Sequence, residues 1–251
     1  MADVNPLDVF FDAVFPPRCP LCGATSSGDG PCATHVLQLD SIPARCGRCA
    51  ARLAPSLPDG FRCGGCARNA PRFRRTLTLG DYGQRSGLRD WILALKHGGR
   101  RDLAEPLGIA LGELLAGVEE EWLSDACIVP VPLHAWRRVE RGYDQAAALA
   151  RAAALTAGAE LVAALRRSTW TEPQGAAGTQ TRAGNVRGVF TLRRRAGRRV
   201  RNRTVWLVDD VMTSGSTASE CAAALVRAGA RRVGVLVLAR AARSGIIRVG
   251  G

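Results

Sequence analysis

The chain has 251 residues, of which 47% are hydrophobic, so it is long enough for one ordinary folded domain and a second, small one. Its net charge is +13, from 35 basic and 22 acidic residues, which favours polyanionic partners, although a solvated arginine-rich surface gives the same count. No apolar run is long enough to span a bilayer, so we expect no membrane insertion.

Seven of the nine cysteines lie before residue 67, in a segment that also contains His35. These residues form four metal-binding knuckles of identical spacing: Cys19 with Cys22, Cys32 with His35, Cys46 with Cys49, and Cys63 with Cys66. Eight ligands suffice for two tetrahedral Zn²⁺ ions. Sequential pairing of the knuckles is the simplest arrangement, and the spacing also allows a crossed one.

Disulfides and a redox dithiol are the alternatives to structural zinc. Asp3, Asp8 and Asp12 interrupt the start of the chain, so no secretory signal is indicated and we expect a cytoplasmic protein with reduced thiols. Four knuckles also exceed what a redox dithiol needs. Cys127 and Cys221 lie in apolar surroundings and are predicted to be inert core thiols.

A change in composition divides the chain into two predicted domains. Residues 1–72 contain few aliphatic side chains and many Pro, Gly and Cys, so metal must replace a hydrophobic core there. Residues 73–251 alternate strand and helix patterns, which predicts an α/β domain with a parallel sheet flanked by helices. Lys96 and His97 end one of these helices, where they either face a site or cap the helix.

The predicted elements of the second domain follow in chain order. They are a strand at Thr76–Tyr82, a helix after Ser86, a helix at Asp102–Val118, a strand at Ala126–Val131, a helix at Asp144–Ala157, short strands at Leu161–Leu165 and Val186–Leu192, a strand at Val205–Val208, a helix at Ser216–Arg227 and a strand at Val233–Leu238. The arginine run Arg193–Arg203 is predicted to be an exposed loop rather than a nucleic-acid site.

The most informative segment is Val205–Thr217, an apolar strand that leads into Asp209 and Asp210 and then into a short hydroxyl-rich turn. The turn comprises Thr213, Ser214, Gly215, Ser216 and Thr217. Because it precedes a helix at the carboxyl end of a strand, its amides and hydroxyls can surround a phosphate. Gly215 permits a positive φ and close approach of the ligand.

Asp209 and Asp210 cannot hold a phosphate, because like charges repel. They suit the vicinal hydroxyls of a ribose, which donate hydrogen bonds, with Mg²⁺ nearby. The segment therefore predicts a sugar-phosphate site; a strand–helix turn with exposed acids is the simpler alternative.

The same segment resembles the phosphoribosyl pyrophosphate (PRPP) motif of type I phosphoribosyltransferases, with Ser214 in place of the second threonine. The resemblance implies that Asp209 and Asp210 contact the ribose hydroxyls and that Thr213–Thr217 binds the 5′-phosphate. If catalytic, such a protein would displace pyrophosphate from ribose C1 with a nitrogen nucleophile.

Further short motifs extend the resemblance over nearly the full length of the chain. They are Leu95-Lys96-His97, Val129–His134, Arg141–Gln145, Leu165–Arg167, Gln174, Arg182, Asn185 and Phe190. Their order behind the cysteine knuckles is similar to the ComF family of competence-associated, phosphoribosyltransferase-like proteins with a double zinc ribbon. Asp144, where the family usually has Asn, and the Cys32/His35 knuckle, where it has a cysteine pair, depart from the pattern.

The resemblance also implies further substrate-binding residues. In phosphoribosyltransferases the loop after the first sheet strand holds pyrophosphate, and here that loop is about Pro130–Arg138. Arg137 and Arg138 would contact the pyrophosphate, and His134 either joins them or forms a turn. Gln174 and Arg182 lie in Thr169–Arg187, which resembles a mobile lid over PRPP or is simply an exposed loop.

The family resemblance leaves the function open between two main hypotheses. One is a PRPP-binding phosphoribosyltransferase-like enzyme that uses Mg²⁺. The other is a non-catalytic competence factor that binds single-stranded DNA or competence proteins through its zinc ribbons and basic surface. A third is that the ribbons only brace the second domain or contact other proteins.

Overall fold

The computed structural model describes residues 16, 18–19, 23–25, 44–58, 60–83, 87–97, 99–133, 143–167 and 189–241. The strands of these ranges are β1 (Arg75–Tyr82), β2 (Ala126–Pro130), β3 (Glu160–Leu161), β4 (Leu165–Arg167), β5 (Phe190–Leu192), β6 (Thr204–Met212) and β7 (Arg232–Ala241). The helices are α1 (Gly64–Arg68), α2 (Gly87–His97), α3 (Ala104–Ala116), α4 (Glu120–Leu123), α5 (Gln145–Thr156), α6 (Ala196–Val200) and α7 (Ser216–Arg227).

Five strands form the main sheet in the order β1-β7-β6-β2-β3, and every neighbouring pair is parallel. The predicted parallel sheet flanked by helices is therefore confirmed. None of the helices within the described ranges is long and apolar enough to cross a membrane.

The central strand β6 is buried on both faces, as the sequence predicted. Trp206 and Val208 pack into one core with the apolar faces of α2, α3 and α5, and Val205 and Leu207 pack into a second core with α7. Trp206 lies opposite Gly234 of β7, where a Cβ would come within 2.5 Å of the indole ring. Glycine is therefore required at position 234 by the bulk of its neighbour.

Strand β6 continues through the acid pair, whereas the sequence predicted that it ends before it. Val211 and Met212 still pair with Ala239 and Arg240 of β7. The carboxylates therefore belong to the end of a strand that is held by its neighbour, not to a free turn.

The segment predicted as one strand, Leu161–Leu165, is split in two. The Val162 amide bonds the Ile128 carbonyl at 2.8 Å and ends the pairing with β2. Leu165 then pairs with Leu192 in an antiparallel hairpin of β4 and β5, outside the main sheet. An apolar run does not reveal such a change of partner, because Leu161, Val162, Ala164 and Leu165 are all apolar although Leu161 is exposed and the other three are buried.

Two other predictions near this hairpin need correction. The strand predicted at Val186–Leu192 begins at Phe190 within the described residues. The arginine run Arg193–Arg203 is not a plain loop, because it contains the short helix α6. Arg199 and Arg203 from this run both pair with Glu160.

Candidate functional site

Asp209 and Asp210 lie at the carboxyl end of β6, at the edge of the sheet where open parallel sheets bind ligands. One oxygen of Asp209 accepts the Asp210 amide at 2.9 Å, and one oxygen of Asp210 accepts the Val211 amide at 2.5 Å. Each carboxylate thereby has a fixed orientation and retains a second oxygen for other partners. Both side chains are half-buried.

The acid pair is electrostatically strained. Burial and, after it, the charge of Asp210 raise the pKa of Asp209 to about 7, while Lys96 acts in the opposite sense. A ligand that supplies hydrogen-bond donors or positive charge would therefore stabilise the ionised carboxylate of Asp209. Ribose hydroxyls and Mg²⁺ both meet that requirement, and carboxylate oxygens are ligands that Mg²⁺ prefers.

Lys96 reaches the acid pair from the last turn of α2, with Nζ 3.0 Å from Asp210 Oδ2. The start of α5 holds this helix end in place. Gln145 donates to the Leu95 carbonyl at 3.0 Å, and the Tyr143 hydroxyl donates to the same oxygen. Of the two sequence interpretations of Lys96, the structure therefore supports the one in which it faces the site.

The hydroxyl-rich turn links β6 to α7; Thr213 and Ser214 are exposed, and Gly215, Ser216 and Thr217 are half-buried. Gly215 has φ +80° and precedes the first residue of α7. Ser214 and Ser216 share a hydroxyl–hydroxyl bond of 2.9 Å, and the Ser216 amide points to the Ser214 hydroxyl at 3.3 Å. Because α7 has 12 residues, its positive dipole end adds to this cluster of donors. The arrangement suits a phosphate group.

Cys46, Cys49, Cys63 and Cys66 are brought together as the sequence predicted. Their sulfur atoms all lie within 4.8 Å of one another, and Cys49 Sγ is 3.7 Å from Cys63 Sγ. Tetrahedral zinc with Zn–S bonds of about 2.3 Å requires sulfur separations of about 3.8 Å. Hydrogen bonds within the cluster lower the pKa of Cys46 and raise the pKa values of Cys49 and Cys66, so the thiols share their protons. These four residues fit a zinc ion.

The first knuckle repeats the backbone geometry of this site. The Cys19 amide bonds the Ala24 carbonyl at 2.7 Å, as the Cys46 amide bonds Ala51 at 2.9 Å. Gly23, with φ +74°, donates to the Cys19 carbonyl at 2.9 Å, as Ala50, with φ +53°, donates to Cys46 at 2.9 Å. The described residues Cys19, Gly23 and Ala24 therefore make the same backbone bonds as their counterparts in a knuckle whose cysteines do converge.

Comparison with known proteins gives a consistent assignment. The chain is 32% identical to the DNA utilization protein YhgH of Salmonella typhimurium over 212 residues, which is 83% of this chain and 88% of the relative. The chain belongs to the ComF family. A second member, competence protein F of Haemophilus influenzae, is 29% identical over 218 residues, covering 85% of this chain and 91% of the relative.

Two other comparisons add little to the ComF assignment. No protein-family model matches the sequence. Among solved structures, the glutamine PRPP amidotransferase of B. subtilis matches 54% of this chain and 26% of that chain at 22% identity, with a TM-score of 0.35. That similarity is too low to support a functional argument.

Several residues that the ComF resemblance singled out lie outside the described residues. They are Cys22, Cys32, His35, His134, Arg137, Arg138, Gln174, Arg182 and Asn185. Their predicted roles stay predictions, as does the domain boundary between residues 72 and 73.

A concave site of this ComF protein lies beside the cysteine cluster, against β1 and away from the acid pair. It has a volume of about 460 Å³, and its described lining includes no carboxylate. Its five arginines are Arg45, Arg48, Arg62, Arg74 and Arg75. Arg45 pairs with Asp81 and Arg75 with Glu119, but the described residues offer no ion-pair partner to the other three.

Sequence reasoning missed the contacts that support the site. Tyr143 and Gln145 belong to a segment that resembles the family, but their hydrogen bonds to Leu95 require the start of α5 to lie at the end of α2. Arg240 was not singled out. A charged residue at the carboxyl end of the apolar strand β7 was an available signal, because burying it requires several acceptors.

Proposed function

We propose that this protein binds PRPP, or a related ribose phosphate, at the end of β6, and that Mg²⁺ accompanies the ligand. The observation that carries the proposal is the placement of the Asp209–Asp210 pair at the end of β6, two residues before the hydroxyl turn that leads into α7. Acceptors for ribose hydroxyls and donors for a phosphate thus lie within one short segment. The ComF relationship supports the same assignment.

The roles of the residues follow from their chemistry. The carboxylates of Asp209 and Asp210 would accept hydrogen bonds from the ribose hydroxyls, and the turn from Thr213 to Thr217 would donate to the 5′-phosphate. Arg137 and Arg138, with Gln174 and Arg182, are proposed to contact the pyrophosphate side of the ligand. Bound Mg²⁺ would supply positive charge to the pyrophosphate oxygens.

If the phosphoribosyl group is transferred, the C1–O bond to pyrophosphate breaks and a C1–N bond to the acceptor forms. Pyrophosphate leaves with the electron pair, and positive charge develops on the ribose next to the carboxylates. Such a reaction depends on electrostatic stabilisation and positioning rather than on a protein nucleophile. Binding without transfer is the more limited form of the proposal.

Calorimetric titration with PRPP and Mg²⁺ tests the proposal directly. We expect saturable binding of PRPP to the zinc-loaded wild type, and an affinity at least tenfold lower in the double variant Asp209→Asn/Asp210→Asn. Ribose 5-phosphate and pyrophosphate, titrated separately, assign the affinity to the two ends of the ligand. Absence of PRPP binding to the zinc-loaded wild type would reject the proposal.

For the metal ions, we propose that the cluster of Cys46, Cys49, Cys63 and Cys66 holds one structural zinc. A second zinc would bind Cys19 and Cys22 together with Cys32 and His35. The repeated backbone geometry at Cys19 supports this second site.

A second candidate function is binding of single-stranded DNA in a competence or DNA-utilization pathway. It is supported by the relatives' names and by the arginine-lined site, where Arg48, Arg62 and Arg74 lack carboxylate partners among the described residues. Phosphodiester oxygens would supply the missing negative charge.

Anisotropy of a labelled single-stranded oligonucleotide at several salt concentrations tests this candidate. Arg48→Glu/Arg62→Glu/Arg74→Glu should weaken binding and flatten the salt dependence, by about 0.7 in the logarithmic slope per lost phosphate contact. The control is Arg194→Glu/Arg198→Glu/Arg227→Glu, which makes the same change of charge at three exposed positions outside the arginine-lined site. Equal effects of the two triple variants would exclude a specific role for the arginine-lined site.

A further inference from the structure

Arg240 is a buried arginine, 3% exposed, near the carboxyl end of β7. Its Nε donates to the Cys49 carbonyl at 2.9 Å, and its Nη1 donates to the Met212 carbonyl at 2.9 Å. The same nitrogen donates to Ala241 at 2.8 Å and also to the Thr213 carbonyl. A buried guanidinium is costly unless its donors are satisfied, so these carbonyls fix its position.

The carbonyls that Arg240 joins belong to two different functional elements. Cys49 is a member of the four-cysteine cluster, and Met212 and Thr213 are the residues at which β6 passes into the hydroxyl turn. One rigid side chain therefore sets the distance between the predicted zinc site and the predicted phosphate site. A lysine could not do so, because a single ammonium lacks the planar fork.

Two further contacts connect the same elements. The Phe73 ring, just after the cysteine segment, lies 3.5 Å from where a Cβ would stand at Gly215. Arg72 donates its amide to the Ser219 hydroxyl in α7 at 3.1 Å. The hydroxyl turn is thus supported from the side of the cysteine segment.

The cysteine segment has little core of its own. Its buried cluster consists of Cys46, Ala51, Leu53, Cys63 and Cys66. A module in which thiols make up most of the core depends on metal for its fold. Loss of the metal would free the Cys49 carbonyl, leave Arg240 without one of its acceptors, and release the start of the hydroxyl turn.

We propose that Arg240 is a positioning residue that makes the phosphate affinity of the hydroxyl turn depend on metal in the four-cysteine site. This inference rests on the proposed function. By linkage, bound ribose phosphate must tighten metal binding by the same factor. Couplings of this kind commonly amount to about 5–150-fold.

The test compares PRPP affinity in zinc-loaded protein and in protein stripped with a chelator, with zinc then restored. In the wild type we expect PRPP affinity to fall about tenfold on stripping and to recover when zinc is restored, so the ratio of the zinc-loaded to the stripped affinity is about ten. In Arg240→Met the affinity should be low in both states, so that this ratio falls to near one. Arg240→Lys should behave like Arg240→Met although lysine keeps the positive charge, because lysine lacks the planar fork of donors that the guanidinium provides. An unchanged ratio in Arg240→Met would overturn the proposal.

Arg203→Met is the matched control. Arg203 also donates to backbone carbonyls, at 3.1 Å to Asp125 and 2.9 Å to Ala126, but at the opposite end of the sheet. This variant should lose stability and keep the tenfold ratio. A fall in its ratio would show that general destabilisation is sufficient, and would overturn the specific role of Arg240.

Hydrogen exchange of the wild type provides a readout that needs neither a variant nor bound PRPP. On stripping, the Ser219 amide, which bonds the Gly215 carbonyl of the turn at 2.9 Å, should exchange at least tenfold faster, while the amides of β7 stay protected. Unchanged exchange at Ser219, or equal loss of protection in β7, would overturn the inference. If PRPP does not bind at all, the proposed function fails, and this exchange experiment still decides the coupling.

Discussion

Lys96 Nζ lies 3.0 Å from Asp210 Oδ2, and the two side chains are only 18% and 13% exposed. The lysine comes from the end of α2 and the aspartate from the end of β6, so the pair joins two elements at the carboxyl edge of the sheet. The positive charge of Lys96 partly offsets the repulsion between the adjacent carboxylates of Asp209 and Asp210.

Lys96→Met should therefore destabilise the fold in a pH-dependent manner. We expect the free energy of unfolding to fall by about 1–3 kcal/mol at pH 8, between the values for exposed and buried ion pairs. The loss should be smaller at pH 5, where Asp209, with its pKa of about 7, is neutral. Denaturant titrations at both pH values measure the difference. Lys96→Arg keeps the charge and serves as the control; equal losses at both pH values would contradict this account.

Asp209 should lower stability as the pH rises. Its pKa is raised to about 7 in the folded state, against about 3.9 in an unfolded chain, so the folded state holds the proton more tightly between these values. The contribution of this group to stability is fully present below pH ~4 and is lost as the pH rises through ~7.

Asp209→Asn should accordingly raise the melting temperature at pH 8 by at least ~2–4 °C and have little effect at pH 4.5. The same variant should weaken PRPP binding at pH 8, because an amide cannot replace the carboxylate as an acceptor for both hydroxyls and Mg²⁺. Thermal melts and calorimetry measure the two effects. Asp90→Asn, on the exposed side of α2, controls for the charge change. A lower melting temperature at pH 8 would refute the pKa assignment.

Gly215→Ala should damage the phosphate site more than the fold. At φ +80° an alanine costs about 1–2 kcal/mol, while its Cβ would meet Met212 and Phe73 at ordinary contact distances of 3.4 and 3.5 Å. We expect that loss of stability together with a weakening of PRPP binding by about tenfold. Gly83→Ala, where an added Cβ would meet no described atom within 4 Å and φ is not positive, should change neither quantity. Unaltered PRPP affinity in Gly215→Ala would count against the turn as the phosphate site.

Zinc analysis separates structural ligands from core thiols. The wild type should contain two zinc ions per chain, and Cys66→Ser should contain one fewer. Cys221→Ala should keep the full amount, because Cys221 is fully buried in the core beside β6, where burial raises its pKa. One zinc in the wild type would exclude the proposed second site; unchanged zinc in Cys66→Ser would exclude the first.

Much of the site was predictable because its residues are consecutive in the chain. Ser216–Arg227 was predicted as a helix with the bounds that it has, since its apolar residues recur at helical spacing after a glycine. The convergence of Cys46, Cys49, Cys63 and Cys66 was also predictable, because two-residue spacing within each knuckle is a requirement of metal geometry.

Contacts between distant segments were not predictable in the same way. The length of β6 beyond Val208 depends on pairing with Ala239 and Arg240, and local sequence favours a turn there. The division between β3 and β4 depends on a change of pairing partner that leaves hydrophobicity unchanged.

The sequence by itself determined the acid pair, the hydroxyl turn, the convergence of Cys46, Cys49, Cys63 and Cys66, and the two-sided burial of the strand between Val205 and Val208. These follow from local spacing, because strand and helix periodicity and metal geometry act over a few residues. Only the tertiary structure decided that Lys96 faces Asp210 and that Arg240 joins Cys49 to Met212. Such pairs form only where packing brings together groups that are remote in the chain. Once they are buried, each polar group needs the other as its partner, because a buried polar or charged group without a partner is destabilising.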